Sequence, residues 1–114
     1  MKKLFTLLLF LLFFFVVKSQ VIPSEGLIIA EFNAPFSGTQ CEYLDELTDC
    51  DLAKIDISTQ PKLQAKHKIV VVPTLIVFYV GEEVARFQAN IMMKLEATLK
   101  EVQDKIDETI MSNF

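Results

Sequence analysis

The sequence predicts one small α/β domain with a mixed sheet and helices on both faces of that sheet. Residues 74–80 form an uncharged, largely β-branched run, which is typical of a strand that is covered on both faces. The elements read in the order β-α-β-α-β-β-α. A βαβ unit followed by a hairpin and a closing helix gives a mixed sheet between two helical layers.

The N-terminus has the pattern of a secretory signal peptide. A basic start precedes an apolar run, Leu4 to Val17, interrupted only by Thr6. This run is shorter than the roughly 18–20 residues that a membrane span needs. We therefore expect a signal peptide at 1–19, cleaved after Ser19, and a domain at 20–114 that is periplasmic or secreted. An uncleaved membrane anchor is the alternative.

Charge and composition argue against several classes of function. The formal net charge is −4, and the domain's basic residues are scattered, for example Lys62, Lys66, Lys68 and Arg86. No cluster could follow a phosphate backbone, so nucleic-acid binding is not expected. The single histidine, His67, has no second histidine to share a metal. The sequence therefore indicates no metal site and no cofactor, and no membrane contact after signal cleavage.

The first half of the domain is predicted to contain two strands joined by a loop and a helix. Gly26 to Phe32 is an apolar strand after a turn signal. Glu31 lies within it, either facing solvent at a sheet edge or buried. Residues 33–40 form a loop with Pro and Gly, and Cys41 to Leu47 is interpreted as a short helix. Leu52 to Ile57 alternates in polarity, which indicates a second strand.

The connection to the third strand is predicted to be helical. Ser58 or Thr59 would cap a helix over residues 62–68, with Pro61 in its first turn. Pro73 cannot donate to a sheet, so it should lie at the start of the strand rather than inside it. An X-Pro bond at a tight turn is where cis peptides occur, so the sequence predicts a cis Val72–Pro73 bond.

The last part of the chain predicts a hairpin and a long helix. Gly81-Glu82 is the expected turn, and Val84 to Gln88 is the second arm of the hairpin. From residue 91 to residue 110, apolar side chains recur at intervals of three and four. This spacing predicts one amphipathic helix over the whole stretch, packed on the sheet by its apolar face.

The element order and two local motifs resemble the thioredoxin family. Phe32-Asn33-Ala34-Pro35-Phe36-Ser37-Gly38 is similar to that family's active-site segment, Phe-Trp-Ala-x-Trp-Cys-Gly. Val72-Pro73-Thr74 resembles its cis-proline loop, followed by a hairpin turn like Gly81-Glu82. The resemblance covers about residues 26–110. It implies a thioredoxin-like fold, truncated at the N-terminus, with an extended-peptide groove beside Val72, Pro73 and Thr74.

The active-site loop departs from the family pattern. The family's Cys-x-x-Cys pair falls on Ser37 and Gln40, so residues 37–40 (Ser37, Gly38, Thr39 and Gln40) form a degenerate loop, and Cys41 lies one residue late. Without two neighbouring thiols the dithiol cycle cannot run here. Serine is a poor nucleophile without an adjacent base. Glu31 occupies the position of the family's buried acid.

Three states are open for the two cysteines. Cys41 could be a reactive thiol at a helix N-terminus, where unpaired amides lower a thiol pKa. It could form a structural disulfide with Cys50. Both could also be inert buried residues. A helix between them would separate the Cα atoms by roughly 13 Å, at about 1.5 Å per residue, whereas a disulfide needs about 7 Å or less.

Two functions follow from these observations. The leading hypothesis is an exported thioredoxin-like domain that binds a polypeptide client and is not a catalyst. The alternative is a monothiol thiol-disulfide oxidoreductase in cell redox homeostasis, with Cys41 as the catalytic residue and a redox partner protein that resolves its mixed disulfide.

Overall fold

The computed structural model describes residue 22 and residues 25–113, so the predicted signal peptide and its cleavage point lie outside the described residues. The strands are β1 (Leu27–Asn33), β2 (Asp51–Asp56), β3 (Thr74–Tyr79) and β4 (Glu82–Gln88). The helices are α1 (Pro61–Lys66) and α2 (Leu99–Ser112). No helix in this part of the chain is long and apolar enough to span a bilayer.

The four strands form one mixed sheet in the order β2-β1-β3-β4. β1 runs parallel to β2 and antiparallel to β3, and β3 is antiparallel to β4. Alternate residues of the central strands face two separate cores. Ile28 and Phe32 belong to the core that Leu63 of α1 joins, whereas Ile29 packs in the core of α2. The predicted mixed sheet with helices on both faces is confirmed.

Pro73 lies at the start of β3, as the sequence predicts. The Val72–Pro73 peptide bond is cis. The carbonyl of Pro73 accepts from the amide of Ala89, and β3 begins with the next residue, Thr74. The ring therefore occupies a position where the sheet requires no N–H donor.

The predicted helix at Cys41 to Leu47 is wrong. This segment contains a single 3₁₀ turn, Leu44–Glu46, and Leu47 is already extended, with ψ 138°. A seven-residue helix is too short to be stable by itself. The 3₁₀ turn satisfies the same apolar spacing, because residues three apart lie above one another in it. Leu44 and Leu47 are accordingly both buried.

The predicted long helix begins eight residues later than the apolar spacing suggests. Asn90 folds the preceding segment into a turn, because its Oδ1 accepts from the amides of Met92 and Lys94. Side-chain bonds of this kind compete with helix formation. The helix begins only after Thr98, whose hydroxyl accepts from the amide of Glu101 as an N-cap.

The hairpin turn is Val80-Gly81 rather than Gly81-Glu82. Tyr79 and Glu82 pair directly, which leaves two residues in the loop. Both have positive φ, 50° at Val80 and 80° at Gly81, as a type I′ turn requires.

Helix α1 forms as predicted but without the predicted cap. Gln60 precedes its first residue and makes no side-chain capping bond. The hydroxyls of Ser58 and Thr59 bond instead to the side chain and carbonyl of Asp56. These residues close the turn after β2, which explains why they resemble a helix start in sequence.

His67 follows α1 and has a structural environment. Its ring packs against Phe32 and Phe78, with centroid distances of 5.4 and 5.2 Å. Burial lowers the pKa of His67, and the charge of Lys66 lowers it further. A neutral imidazole packed among aromatic rings is favoured here over the cation that the end of a helix would attract.

The core beneath α2 provides a test of the fold. Ile106 has no exposed surface, so Ile106→Ala should lower the free energy of unfolding by about 3 kcal/mol, since it creates a cavity. Met111 lies on the same helix but is 76% exposed, and Met111→Ala should change stability by about 0.5 kcal/mol or less. Urea denaturation of both variants measures this difference. Equal losses would contradict the packing of α2 on the sheet.

Candidate functional site

The loop after β1 is held together by the side chain of Asn33. Its Oδ1 accepts from the amide of Ala34 at 2.8 Å and from the hydroxyl of Ser37 at 2.7 Å. Its Nδ2 donates to the carbonyl of Thr39 at 2.6 Å. Gly38 closes the 3₁₀ turn Pro35–Ser37 with φ 66°, a conformation that glycine adopts without strain. The degenerate loop is therefore a compact turn in which Ser37 serves as a structural hydrogen-bonding group.

Glu31 is a buried acid, as the resemblance implies. It is 3% exposed, and its Oε2 accepts from the backbone amide of Cys41 at 2.5 Å. The register places it opposite Lys54 of β2 and Leu75 of β3, so these three side chains share one face of the sheet. The bond to Cys41 ties the end of the loop to the sheet.

Cys41 lies in an environment that favours the neutral thiol. It is 7% exposed and packs in the core of α2, next to a 3₁₀ turn and not at the start of an α-helix. Burial is the largest cause and raises the pKa of Cys41. The amide of Tyr43 lowers it, the carboxylate of Glu31 raises it further, and the Tyr43 side chain and the Leu44 amide lower it, so that the pKa is raised overall. This environment favours the inert buried thiol among the three states that the sequence leaves open.

The second cysteine has no bond to the first. Cys41 and Cys50 are both free thiols. Burial raises the pKa of Cys50, and the neighbouring carboxylates of Asp51 and Asp49 raise it further. Neither thiol therefore has the lowered pKa that marks a reactive cysteine.

Tyr43 connects this region to the segment before α2 and was not identified from the sequence. Its hydroxyl donates to the carbonyl of Ala97 at 2.5 Å. Burial raises the pKa of Tyr43, and the adjacent Cys41 raises it further. Nothing in the local sequence pattern indicates this bond, because the two residues are 54 positions apart.

A cleft of about 480 Å³ opens beside Glu31, at the carboxyl ends of β1 and β2. We call it the strand-end cleft. It is lined by Glu31, Asn33, Ala34, Pro35, Ser37, Gly38, Thr39, Gln40, Lys54, Ile55 and Asp56. Because the segment between the loop and β2 is not a long helix, the outer strand is left partly uncovered, and Leu52 is 39% exposed.

A second depression of about 170 Å³ lies beside the proline loop. We call it the proline groove. It is lined by Phe36, Ile57, Gln64, Ile69, Val70, Val71, Val72, Asn90, Ile91 and Met93, none of which is charged. The sequence predicts Val72, Pro73 and Thr74 as its binding residues, but all three side chains are buried. Of the three, only Val72 lines the groove, and this residue as a whole is 4% exposed.

The exposed side chains around the proline groove come from three separate segments. Val70 is 79% exposed, Phe36 68% and Ile91 96%. A patch of large apolar side chains on a protein surface marks an interaction site. Sequence reasoning missed these residues because they lie in separate stretches of the chain, and only the fold brings them together.

The two loops that border the proline groove are connected. The hydroxyl of Thr39 donates to the carbonyl of Met93 at 2.6 Å. Met93 has φ 60° in the turn that Asn90 organises. The degenerate loop thus supports the segment that presents Ile91 to solvent.

The proline loop carries unpaired backbone groups. The carbonyl of Val71 accepts from the Thr74 hydroxyl at 2.7 Å, and Pro73 pairs with Ala89. Among residues 25–113, no partner bonds to the amide or the carbonyl of Val72. No group of three potential metal-ligating side chains occurs in this part of the chain either.

Comparison with known proteins defines the fold class. No protein-family model and no curated protein matches the chain. Solved structures do match. A mutant thioredoxin from Halobacterium salinarum is 26% identical over 74% of each chain, with a TM-score of 0.56. A malaria parasite thioredoxin-2 is 17% identical over 80% of this chain and 99% of its own, with a TM-score of 0.58.

A third match is a thioredoxin from Schistosoma mansoni, 22% identical over 75% of this chain and 78% of its own, with a TM-score of 0.52. These similarities show that the chain has a thioredoxin-like fold. The structural match covers about three quarters of the chain, and it confirms the fold that the sequence predicts.

The raised pKa of Cys41 predicts slow, strongly pH-dependent alkylation. In a Cys50→Ser variant, iodoacetamide should modify folded Cys41 more slowly than free cysteine at neutral pH, with a rate midpoint above the ordinary thiol pKa. The stability contributed by the neutral thiol is present below that ordinary pKa and is lost as the pH rises through the raised value. Mass spectrometry follows the reaction, and the same variant unfolded in urea is the control. Faster reaction in the folded protein would instead support the monothiol enzyme.

Proposed function

We propose that this protein is an exported thioredoxin-like domain that binds an extended apolar segment of a polypeptide in the proline groove, without a dithiol active site. The single observation that carries the proposal is the unpaired backbone of Val72 beside an uncharged apolar patch. An extended peptide pairs with free backbone groups of this kind by adding a strand.

The lining of the groove specifies the chemistry of the client. Charged side chains would lose hydration against Val70, Phe36 and Ile91 without gaining a partner, whereas aliphatic and aromatic ones would bury apolar surface. The amide and carbonyl of one extended residue point to the same side, so a client residue opposite Val72 can make two hydrogen bonds at once. We therefore propose an uncharged, β-prone segment as the client.

The proposal that the domain is not a catalyst rests on the degenerate loop. Ser37 and Gln40 occupy the positions of the two family cysteines, and the Ser37 hydroxyl is already bonded to Asn33. Cys41 is turned into the core. The loop contributes the apolar side chain of Phe36 to the groove and no thiol, so the groove can bind a polypeptide without reactive thiols.

Peptide binding can be tested with a labelled heptapeptide, Gly-Ser-Val-Leu-Val-Ser-Gly. We expect saturable fluorescence anisotropy and a shift of the Val72 amide in NMR spectra. Val70→Asp should weaken binding about tenfold, because it places a charge against the apolar side chain of the client. Met111→Ser, also at an exposed apolar residue but outside the groove, should leave the affinity unchanged.

An N-methylated version of the same heptapeptide separates backbone pairing from simple apolar adhesion. Methylation of the central amide removes one donor while it keeps every side chain, so binding should fall about tenfold or more. Equal affinities of the two peptides would refute binding by backbone pairing. Equal losses of affinity in Val70→Asp and Met111→Ser would refute binding in the proline groove.

The absence of catalysis is tested by insulin reduction in the presence of dithiothreitol. The protein should not accelerate precipitation of insulin beyond the rate with dithiothreitol alone, since it has no pair of adjacent thiols on the loop. A dithiol thioredoxin serves as the positive control. A rate of insulin reduction close to that of the positive control would refute the proposal that the domain binds polypeptides without catalysis.

Export is tested by the N-terminus of the mature protein. The basic start and apolar run support cleavage after Ser19, so N-terminal sequencing of the exported protein should begin at Gln20. A chain that retains residues 1–19 in a membrane fraction would support the anchored alternative.

A further inference from the structure

We propose that the strand-end cleft binds the protonated amino group of a small organic ligand, with the buried carboxylate of Glu31 as its acceptor. The ligand class is a primary ammonium compound of amino-acid size or slightly larger. A cleft of about 480 Å³ is within the usual range for small-molecule sites. This site is separate from the proline groove, and it does not depend on the function proposed above.

The first observation is the incomplete hydrogen bonding of Glu31. Its Oε2 accepts from the amide of Cys41, and no residue in 25–113 donates to Oε1 or forms an ion pair with this carboxylate. In the described part of the chain, no fully enclosed side-chain oxygen lacks a partner. Oε1 therefore keeps a small solvent-accessible surface, and Glu31 lines the strand-end cleft, although the residue as a whole is 97% buried.

The second observation is the charge of the cleft. Its lining contains the carboxylates of Glu31 and Asp56 and one cation, Lys54, so carboxylates outnumber cations. Lys54 is directly opposite Glu31 in the register, yet its side chain is exposed and forms no ion pair with it. An ionised carboxylate can accept about four hydrogen bonds, and an ammonium group supplies charge-assisted ones.

The third observation is the position of the cleft in the sheet. It lies at the carboxyl ends of β1 and β2, the only pair of parallel neighbours in the described sheet. In open α/β sheets, ligands bind outside the carboxyl ends of the strands. The opening exists here because residues 41–50 form turns and no helix covers the outer strand at this point.

Other ligand chemistries fit the cleft less well. Anions would be repelled by the two carboxylates. A divalent metal needs several ligating side chains, and the described residues contain no group of three. The hydroxyl of Ser37 is already bonded within the loop, and that of Thr39 to the carbonyl of Met93. A single ammonium group on an organic body matches both the one free carboxylate oxygen and the volume.

NMR titration of the uniformly ¹⁵N-labelled domain tests the proposal. The reporter is the Cys41 amide, because it donates to the same carboxylate that would receive the ligand. We expect n-butylammonium chloride to shift this resonance saturably. The neutral isostere n-butanol and the anion butyrate, at matched concentration and ionic strength, should not shift it. Equal shifts with n-butanol, or no saturation, would overturn the proposal.

Two variants locate the interaction. Glu31→Gln keeps the shape and removes the charge, so it should weaken n-butylammonium binding about tenfold. Glu42→Gln removes an exposed carboxylate next to Cys41 and should leave binding unchanged. Equal effects of both variants would indicate only general charge attraction and would refute the site.

A third variant decides the question if Glu31→Gln does not fold. Lys54→Gln alters an exposed side chain and removes the one cation of the cleft, so n-butylammonium should bind about twofold more tightly or better. Unchanged or weaker binding would count against the cleft. Heptapeptide binding in the proline groove should be unchanged in Glu42→Gln and Lys54→Gln, whose exposed side chains do not line that groove, which separates a failure of this site from a failure of the proposed function.

Discussion

The hydrogen bond between the carboxylate of Glu31 and the backbone amide of Cys41 is the constraint on which the site depends. This bond fixes the end of the loop onto the face of the sheet. It also uses the Cys41 amide, which would otherwise be free to lie in the first turn of a helix. It also places a carboxylate near the Cys41 thiol, which adds to burial in raising the pKa of that thiol. One buried acid thus both anchors the degenerate loop and works against a thiolate beside it. A helix N-terminus at this point would have the opposite effect on a thiol.

Most of the sheet could be predicted from the sequence because its strands carry their own signals. The uncharged run after Pro73 predicts a strand covered on both faces, and Thr74 to Phe78 are all buried. The alternation in β2 predicts one covered face, and Ile55 is buried there, whereas Leu52 on the other face is 39% exposed. The helix boundaries were harder to predict from the sequence, because hydrogen bonds of polar side chains determine where the helices begin. Asn90 and Thr98 accept hydrogen bonds from nearby amides, and as a result the last helix begins later than predicted. The spacing of apolar residues contains no information about such bonds. Thr98-x-x-Glu101 is nevertheless a capping pattern that marks the correct start.

The candidate site was predictable only in part, and for a physical reason. Glu31 and the proline loop lie on regular strands or directly next to them, so local sequence places them. The exposed patch combines Phe36, Val70 and Ile91 from three segments of the chain, and more than thirty positions separate Phe36 from Val70. The strand-end cleft is open because the helix predicted at Cys41 to Leu47 does not form. A sequence pattern describes what a segment forms. It does not describe the surface that remains uncovered when a neighbouring segment is short.

The arrangement is compatible with the proposed polypeptide binding by a thioredoxin-like fold whose sequence contains no Cys-x-x-Cys pair. The loop after β1 contributes one side chain, Phe36, to the groove, whereas most of the lining comes from the segments that precede β3 and follow β4. The two regions meet at the Thr39–Met93 bond, and that contact uses a threonine hydroxyl and a carbonyl rather than sulfur. Replacement of the thiols therefore leaves the mutual support of the loops in place. Selection on the proposed polypeptide binding would preserve Val70 and Ile91 at the surface and the Thr39–Met93 bond, and it would not require thiols at positions 37 and 40.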